Sequence, residues 1–372
     1  MPVSRATAED LARAIAALYA EGERLMMERI ASNLKKGIEQ PYWATKKLAQ
    51  LQSYRAEILQ LITDLRQEVA TGLPSALTEA YKRGGLAAVE DIGRGTAVTN
   101  RLGGLRAVEK ITNETLAYLN STETRILWSA MDAYKKAVTA GSTGFIDSSG
   151  LPVALSENPV NQGVSQQLLG TQTRRQAVQS TLDDFASSGV TGFVDTIGRG
   201  WSLYSYASMA LSAGTRNAAI AGHLDTLQEN GLDLVIVNED GSPCPDCAPW
   251  EGEILSISGE SNEYPSIDDA EADGLGHPNC MHVYSAYQEG ITQLYPEKSE
   301  EEVAAQAQLY QDKQDERAIE RSIRQAKNEL AVAMDSTAAR AATSRVEYYQ
   351  AQAREHVATS GATRDYTREQ IG

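Results

Sequence analysis

The sequence has few cysteines and no long apolar run. It contains three cysteines among 372 residues, and an odd number does not suit a disulfide framework. No apolar stretch approaches the roughly 20 residues that a membrane-spanning helix needs. The N-terminal segment also carries acidic residues where a secretory signal would be apolar. We therefore expect a protein that is not bound to a membrane, with cysteines that act as metal ligands or free thiols.

Signatures of the common enzyme classes are also missing. The chain has no G-x-S-x-G elbow, no G-x4-G-K-[ST] phosphate loop and no H-E-x2-H motif. A zinc deaminase would combine H-x-E with P-C-x2-C. Here His223 and Asp225 give H-x-D, and Pro243 to Cys247 give P-C-x2-C. The glutamate that would act as general acid and base is missing, and strand-like sequence follows Cys247. The sequence thus favours a non-enzymatic protein.

Basic residues are missing from one long segment. No Lys or Arg occurs between Arg216 and Lys298, whereas 16 of the 50 Asp and Glu residues lie there. The rest of the chain is neutral, so this acidic segment carries the whole net charge of −16. Such a segment repels phosphate, and we expect it not to bind nucleic acid directly. A basic protein partner, or solubility alone, would account for the charge.

The acidic segment also contains every cysteine of the chain and three of its four histidines, and two of these, His277 and His282, lie close to the cysteines in sequence. A C-x2-C motif comes first, and H-x2-C-x-H follows. Thiolates and imidazoles are ligands that zinc prefers, and C-x2-C lets one turn present two sulfurs. The sequence predicts a closed structural zinc site of three cysteines and one histidine, with the histidines as alternatives for the fourth position. In the other interpretation the cysteines are small buried apolar residues. The candidate ligands are Cys244, Cys247, His277, Cys280 and His282.

Most of the remaining chain has the apolar periodicity of amphipathic helices. A capping box of Ser299 and Glu302 begins one of the last helices. Long helices with a thin apolar stripe and charges of both signs suit a helical bundle or contact with another protein. Helices are expected over residues 7–34, 42–69, 76–89, 105–119, 122–138, 159–186, 299–334 and 338–356, with two more between 201 and 231.

Three short β-branched stretches in the acidic segment predict a small sheet. They cover residues 232–237, 253–257 and 283–286, with the cysteines and histidines at the turns. The expected fold class is α+β and predominantly α-helical, with long N- and C-terminal helices around a small α/β module. The expected regions are an N-terminal helical region (1–155), the acidic module (156–297) and a C-terminal helical region (298–372).

Several motifs resemble those of a known family. The stretches GFVDTIGRGWSLYSYASMA, C-x2-C, WEGEILSISG and GHPNCMH resemble the phage minor capsid protein 2 family, relatives of the Mu F-like minor head proteins. The residues that match the family's H-P-N-C motif are His277, Pro278, Asn279 and Cys280. The resemblance is good from about residue 189 to 356 and looser over the N-terminal helices.

The resemblance implies a structural protein of the virion of a tailed phage. It would be present in few copies, inside the head at the portal vertex, and in the host cytoplasm during assembly. Its implied partners are the portal protein and other head proteins, with self-association as a further option. Its implied role lies in head assembly, DNA packaging or ejection. The competing hypothesis is a metal-dependent enzyme or toxin that uses the Cys/His cluster.

Overall fold

The computed structural model describes residues 5–93, 103–142, 173–189, 193–194 and 200–371. These residues are mostly helical, with a small antiparallel sheet and a cluster of cysteines and histidines. The predicted α+β, predominantly helical fold class is therefore confirmed. The region border expected at residue 155, and the first part of the helix expected over 159–186, lie outside the described residues. No helix in the described ranges is long and apolar enough to cross a membrane.

Ten α-helices occur among the described residues. They are α1 (Arg5–Lys35), α2 (Trp43–Ala49), α3 (Leu51–Ile92), α4 (Gly103–Asn120), α5 (Glu123–Ser142), α6 (Arg174–Ser188), α7 (Leu203–Glu229), α8 (Ile267–Ala272), α9 (Glu300–Ala331) and α10 (Ser336–Ser360). Five short strands accompany them, namely β1 (Phe193–Val194), β2 (Gly200–Trp201), β3 (Leu234–Val237), β4 (Ile254–Ser256) and β5 (Tyr284–Ala286).

The chain forms two compact units, each assembled from three segments. The first comprises Met1–Ala16, Glu68–Leu119 and Ala207–Asp315, and the second comprises Ala17–Gln67, Asn120–Tyr206 and Glu316–Gly372. The division into N-terminal, acidic and C-terminal regions stays a prediction.

Two helix breaks expected from the sequence are wrong. Helix α3 continues through Gly72 and Pro74, although proline removes a backbone donor and crowds the preceding turn. Leu73 and Leu77 are fully buried on either side of Pro74, so packing offsets this local cost. Likewise, α7 is one helix rather than two. Conversely, the helix expected over 42–69 is interrupted at Gln50, between α2 and α3.

In the first unit, a three-stranded antiparallel sheet has the order β4-β3-β5. Val235 of β3 is paired with Leu255 on one side and Ala286 on the other. The sheet shares one buried apolar cluster with Ala88 of α3 and Leu227 of α7. Cys247 and Cys280 belong to the same cluster, so the helices and the sheet together position the cysteines.

The second unit packs around buried aromatic residues. The rings of Tyr54 and Tyr134 are stacked with centroids 4.5 Å apart. The Trp43 indole donates to the Leu34 carbonyl oxygen at 3.0 Å. In the same unit, the buried Glu23 carboxylate accepts the backbone N–H groups of Leu203 and Tyr204, each at 3.2 Å. A side chain distant in sequence thus satisfies donors at the start of α7.

Candidate metal centre

Two turns present the predicted metal ligands. The first turn, Cys244–Cys247, is closed by hydrogen bonds from the backbone N–H groups of Cys247 and Ala248 to the Cys244 carbonyl oxygen, at 3.1 and 2.9 Å. The second turn, His277–Cys280, is closed by the Cys280 N–H on the His277 carbonyl oxygen at 2.7 Å. His282 follows two residues later, just before β5. Each turn therefore fixes its two potential ligands locally, before the turns meet.

The fold brings all five predicted ligand residues into two overlapping groups. Cys244, Cys247 and His277 form one group, and Cys247, Cys280 and His282 form the other. Within each group the potential ligand atoms lie within 4.8 Å of one another, and Cys247 belongs to both groups. Residues from two distant turns thus converge, as the sequence predicts, and this Cys/His cluster could hold a metal ion.

Individual contacts in the cluster are short. Cys247 Sγ lies 3.6 Å from Cys280 Sγ, and Cys280 Sγ lies 3.5 Å from His282 Nδ1. On the other side, Cys244 Sγ lies 3.1 Å from His277 Nε2. The His282 backbone N–H also points at Cys280 Sγ, at 3.4 Å. Backbone donors of this kind stabilise a thiolate and are common around metal-bound sulfur.

The cluster is shielded from water on one side. Cys247 is fully buried, and Cys280 and His282 are each only 5% exposed. Cys244 and His277 are half-buried. Apolar side chains of the sheet and of α8 surround the cysteines, including Val237, Leu255 and Ile267. A metal ion here would sit at the edge of a core rather than in an open cleft.

Sequence reasoning missed Glu251, which is the acidic partner of His282. Its side chain is 1% exposed, and its Oε1 lies 2.9 Å from His282 Nε2. Lys298 Nζ contacts Oε2 at 2.5 Å, and the Asp240 backbone N–H donates to Oε1 at 2.7 Å. Burial opposes ionisation, but the hydrogen bonds with His282, Asp240 and Lys298 outweigh it and lower the Glu251 pKa to about 2. The carboxylate is therefore charged at neutral pH.

Sequence reasoning also missed Arg216, which holds the second turn from α7. Its guanidinium donates to the carbonyl oxygens of Gly276 at 2.7 Å and Cys280 at 2.9 Å. Arg216 is the last basic residue before the acidic segment. This was the only signal in the sequence for its contact with the second turn. Arg216 brings a permanent positive charge to a segment that contains no Lys or Arg of its own.

The environment favours the thiolate form of Cys280. A hydrogen bond from the Cys247 thiol lowers the Cys280 pKa to about 3 against the effect of burial, and contacts with His282 and Arg216 act in the same direction. For His282, burial disfavours the charged form, but hydrogen bonds with Cys280 and Glu251 raise the pKa to about 9. Thiolates rather than thiols bind metals. The Cys280 side chain therefore has the protonation state that a metal ligand needs.

His223 lies away from the Cys/His cluster. This histidine would be the first ligand of a deaminase-type site, but it belongs to neither group of potential ligands among the described residues. It is buried in α7, with Nε2 3.8 Å from a carboxylate oxygen of Asp91. The half-match to the deaminase pattern therefore does not assemble into one site.

Comparison with known proteins identifies the family. The family model described as phage minor capsid protein 2 matches residues 5–151 and 154–358. This match covers nearly the whole chain, so the protein belongs to the phage minor capsid protein 2 family, and the resemblance inferred from the motifs is confirmed. No curated protein and no solved structure matches the chain significantly. Membership supports a structural role in the phage head, among other head proteins of the virion.

Proposed function

We propose that this phage minor capsid protein acts at the portal vertex, where it contacts the portal protein and other head proteins during head assembly, DNA packaging or ejection. The observation that carries the proposal is the family match along nearly the whole chain. Its role is structural rather than enzymatic. During assembly the protein resides in the host cytoplasm, and afterwards in the head of the virion.

The exposed faces of the C-terminal helices support protein contact. Only Ala342 and Ala353 of the 25-residue helix α10 are buried. The rest of that helix carries charges of both signs and leaves Tyr348 58% exposed. Helices that bury so little of their surface need a partner or remain solvated. In a head protein, such faces suit docking onto other subunits.

The acidic segment supports the same role by repelling DNA. It carries 16 acidic residues between Arg216 and Lys298 and no Lys or Arg of its own. A protein inside the head lies beside densely packed phosphate, and a negative surface there prevents non-specific adhesion. The acidic segment therefore contacts protein rather than nucleic acid, and a basic partner surface would match it best.

We also propose that the Cys/His cluster holds one structural zinc ion. Three sulfurs and one imidazole complete a tetrahedral zinc site and leave no position for a reactive water. The buried position of Cys247 and Cys280 supports a closed site of this kind. Zinc would join two turns that are separated in sequence and would rigidify the small sheet between them. Elemental analysis of the purified protein tests this, and one zinc per chain is expected.

The portal proposal is tested on purified phage particles and on heads isolated before tail attachment. Quantitative mass spectrometry should find the protein at low copy number relative to the major capsid protein. Chemical cross-linking should link α10 to the portal protein. A copy number near that of the major capsid protein, or cross-links to the shell alone, would overturn the placement at the portal.

A further inference from the structure

We infer that His282, and not His277, is the imidazole ligand of the metal site, and that Glu251 orients it. The inference rests on the proposed function, because it takes the metal site as given and assigns its ligands. It also assigns separate supporting roles to His277 and Arg216.

The surroundings of His282 leave the correct nitrogen available for a metal. Its Nε2 lies 2.9 Å from Glu251 Oε1. The carboxylate accepts there, so Nε2 carries the proton. Metal binding displaces the second proton of the ring, and the lone pair that becomes available is then on Nδ1, which faces Cys280 Sγ at 3.5 Å. Metal-binding histidines usually donate their second N–H to a carboxylate in this way, which fixes the tautomer and the ring orientation.

The surroundings of His277 have the opposite effect. The Asn279 backbone N–H donates to His277 Nδ1 at 3.3 Å. The neutral ring must therefore carry its proton on Nε2, the atom that faces Cys244 Sγ at 3.1 Å. A protonated ring nitrogen has no lone pair for a metal, but it can donate to a thiolate. His277 is thus placed as a hydrogen-bond donor to Cys244.

The distances within the group of Cys247, Cys280 and His282 support the choice of His282 over His277. Zn–S bonds of about 2.3 Å and Zn–N bonds of about 2.0–2.1 Å, at tetrahedral angles, place two sulfurs ~3.8 Å apart and a sulfur and a nitrogen ~3.6 Å apart. The Cys247–Cys280 and Cys280–His282 separations are 3.6 and 3.5 Å, close to those values. The Cys244–His277 separation is only 3.1 Å, which suits a direct hydrogen bond better than two ligands of one ion.

Outer contacts complete the assignment. Lys298 and the Asp240 backbone N–H hold Glu251 in place, and Arg216 holds the backbone of the second turn. Three thiolates around a doubly charged ion leave one negative charge in excess. The Arg216 guanidinium and the His277 N–H donate hydrogen bonds beside the thiolates and offset this excess negative charge. Cys247, Cys280 and His282 form one group of potential ligand atoms, and Cys244 lies within 4.8 Å of Cys247 in the other group. These four residues are the proposed ligands, and Glu251, His277 and Arg216 are the proposed positioning residues.

The test uses the full-length protein loaded with cobalt(II), whose absorption reports thiolate ligation in place of zinc. His277→Ala should keep one cobalt per chain with unchanged charge-transfer intensity. His282→Ala should weaken binding by a factor of 10 or more. His282→Cys should restore binding and raise the charge-transfer intensity by about a third, because four thiolates would replace three. His277→Cys should leave that intensity unchanged.

Glu251→Gln tests the positioning role, with Glu253→Gln as its matched control, since Glu253 is exposed two residues away. The Glu251 variant should bind cobalt 10- to 100-fold more weakly, as is usual when the partner of a ligating histidine is lost. The control should bind like the unchanged protein. Equal affinities for the two variants would overturn the role of Glu251. Circular dichroism of each variant checks that it is folded.

The outcomes separate this inference from the proposed function. If the unchanged protein binds neither zinc nor cobalt, the metal site fails and the ligand assignment fails with it, while the role in the head stands. If the unchanged protein binds metal, but His277→Ala loses it and His282→Ala retains it, only the ligand assignment is overturned. Equal loss of affinity in both alanine variants would also overturn it.

Discussion

Gly222 of α7 lies against the backbone carbonyl oxygen of Tyr81 on α3, so closely that a Cβ at position 222 would overlap that oxygen. Gly84 of α3 makes the reciprocal approach to the carbonyl oxygen of Ala219. Two helices approach this closely only where side chains are missing from the contact. The crossing lies in the same unit as the Cys/His cluster, and both helices contribute to the apolar cluster around the cysteines.

The first prediction concerns this crossing. Gly84→Ala should destabilise the protein by at least about 2 kcal/mol, because the new methyl group meets rigid backbone rather than a side chain that can move. Gly72→Ala is the matched control on the same helix, since a Cβ there has nothing within 4 Å. It should stabilise by roughly 0.5–1 kcal/mol through the better helix propensity of alanine. Urea unfolding followed by circular dichroism measures both changes, and similar values would refute the close packing.

The second prediction concerns metal removal. A strong zinc chelator should lower the melting temperature at neutral pH, because the ligands form a site only in the folded protein. Metal at about 1,000 times its dissociation constant adds about 4 kcal/mol of stability, which the chelator would remove. Differential scanning calorimetry measures the shift. Cys247→Ser should melt at the lower temperature and should not respond to the chelator. Identical melting of the unchanged protein with and without chelator would contradict the structural role of the metal.

Much of the fold could be predicted from the sequence because its signals are local. The apolar periodicity identified α1, α9 and α10, and β-branched runs identified β3, β4 and β5. The failures occurred where tertiary packing outweighs local preference. Helix α3 tolerates Pro74 because its neighbours are buried. Helix α7 continues through Gly214 because that glycine packs closely against the Thr115 side chain.

The candidate site could be predicted only in part. Cysteines and histidines at short spacings are a local signal, and the structure brings all five residues into the cluster. Glu251 could not be selected from the 16 acidic residues of the segment, because its role depends on burial beside His282. Arg216 contacts carbonyl oxygens some 60 residues further along the chain. No spacing rule connects residues whose proximity arises from the packing of α7 on the second turn.

The third prediction concerns Glu23, which accepts the first N–H groups of α7 within the second unit. Glu23→Ala should destabilise by about 1–3 kcal/mol, because one buried and one partly buried N–H group would lose a charged acceptor at a helix N-terminus. Glu23→Gln should cost less, since an amide oxygen still accepts. Glu28→Ala on the same helix removes an ion pair with Arg24 that is partly exposed and should cost at most about 0.5 kcal/mol. Thermal unfolding ranks the three variants, and the prediction fails if the Glu23 and Glu28 alanine variants melt alike.

The fourth prediction concerns Glu320, a carboxyl on α9 that is 5% exposed. Burial raises its pKa to about 7, although Arg368 and Arg324 lie nearby and oppose the shift. Between its ordinary pKa of 4.5 and this value, the folded protein binds more protons than the unfolded chain. The contribution of Glu320 to the free energy of unfolding is therefore fully present below pH 4.5, and it is lost as the pH rises to about 7. The full loss is about 3 kcal/mol.

Glu320→Gln keeps the shape of the neutral carboxyl and cannot ionise. It should therefore be more stable than the unchanged protein at pH 8, by up to about 3 kcal/mol, and equally stable near pH 4.5. Urea unfolding at both pH values measures the two differences. Glu301→Gln alters an exposed carboxylate on the same helix and should leave stability nearly unchanged at each pH. A Glu320→Gln variant that is less stable than the unchanged protein at pH 8 would show that the charged carboxylate is stabilised where it lies, and that Arg324 and Arg368 outweigh its burial.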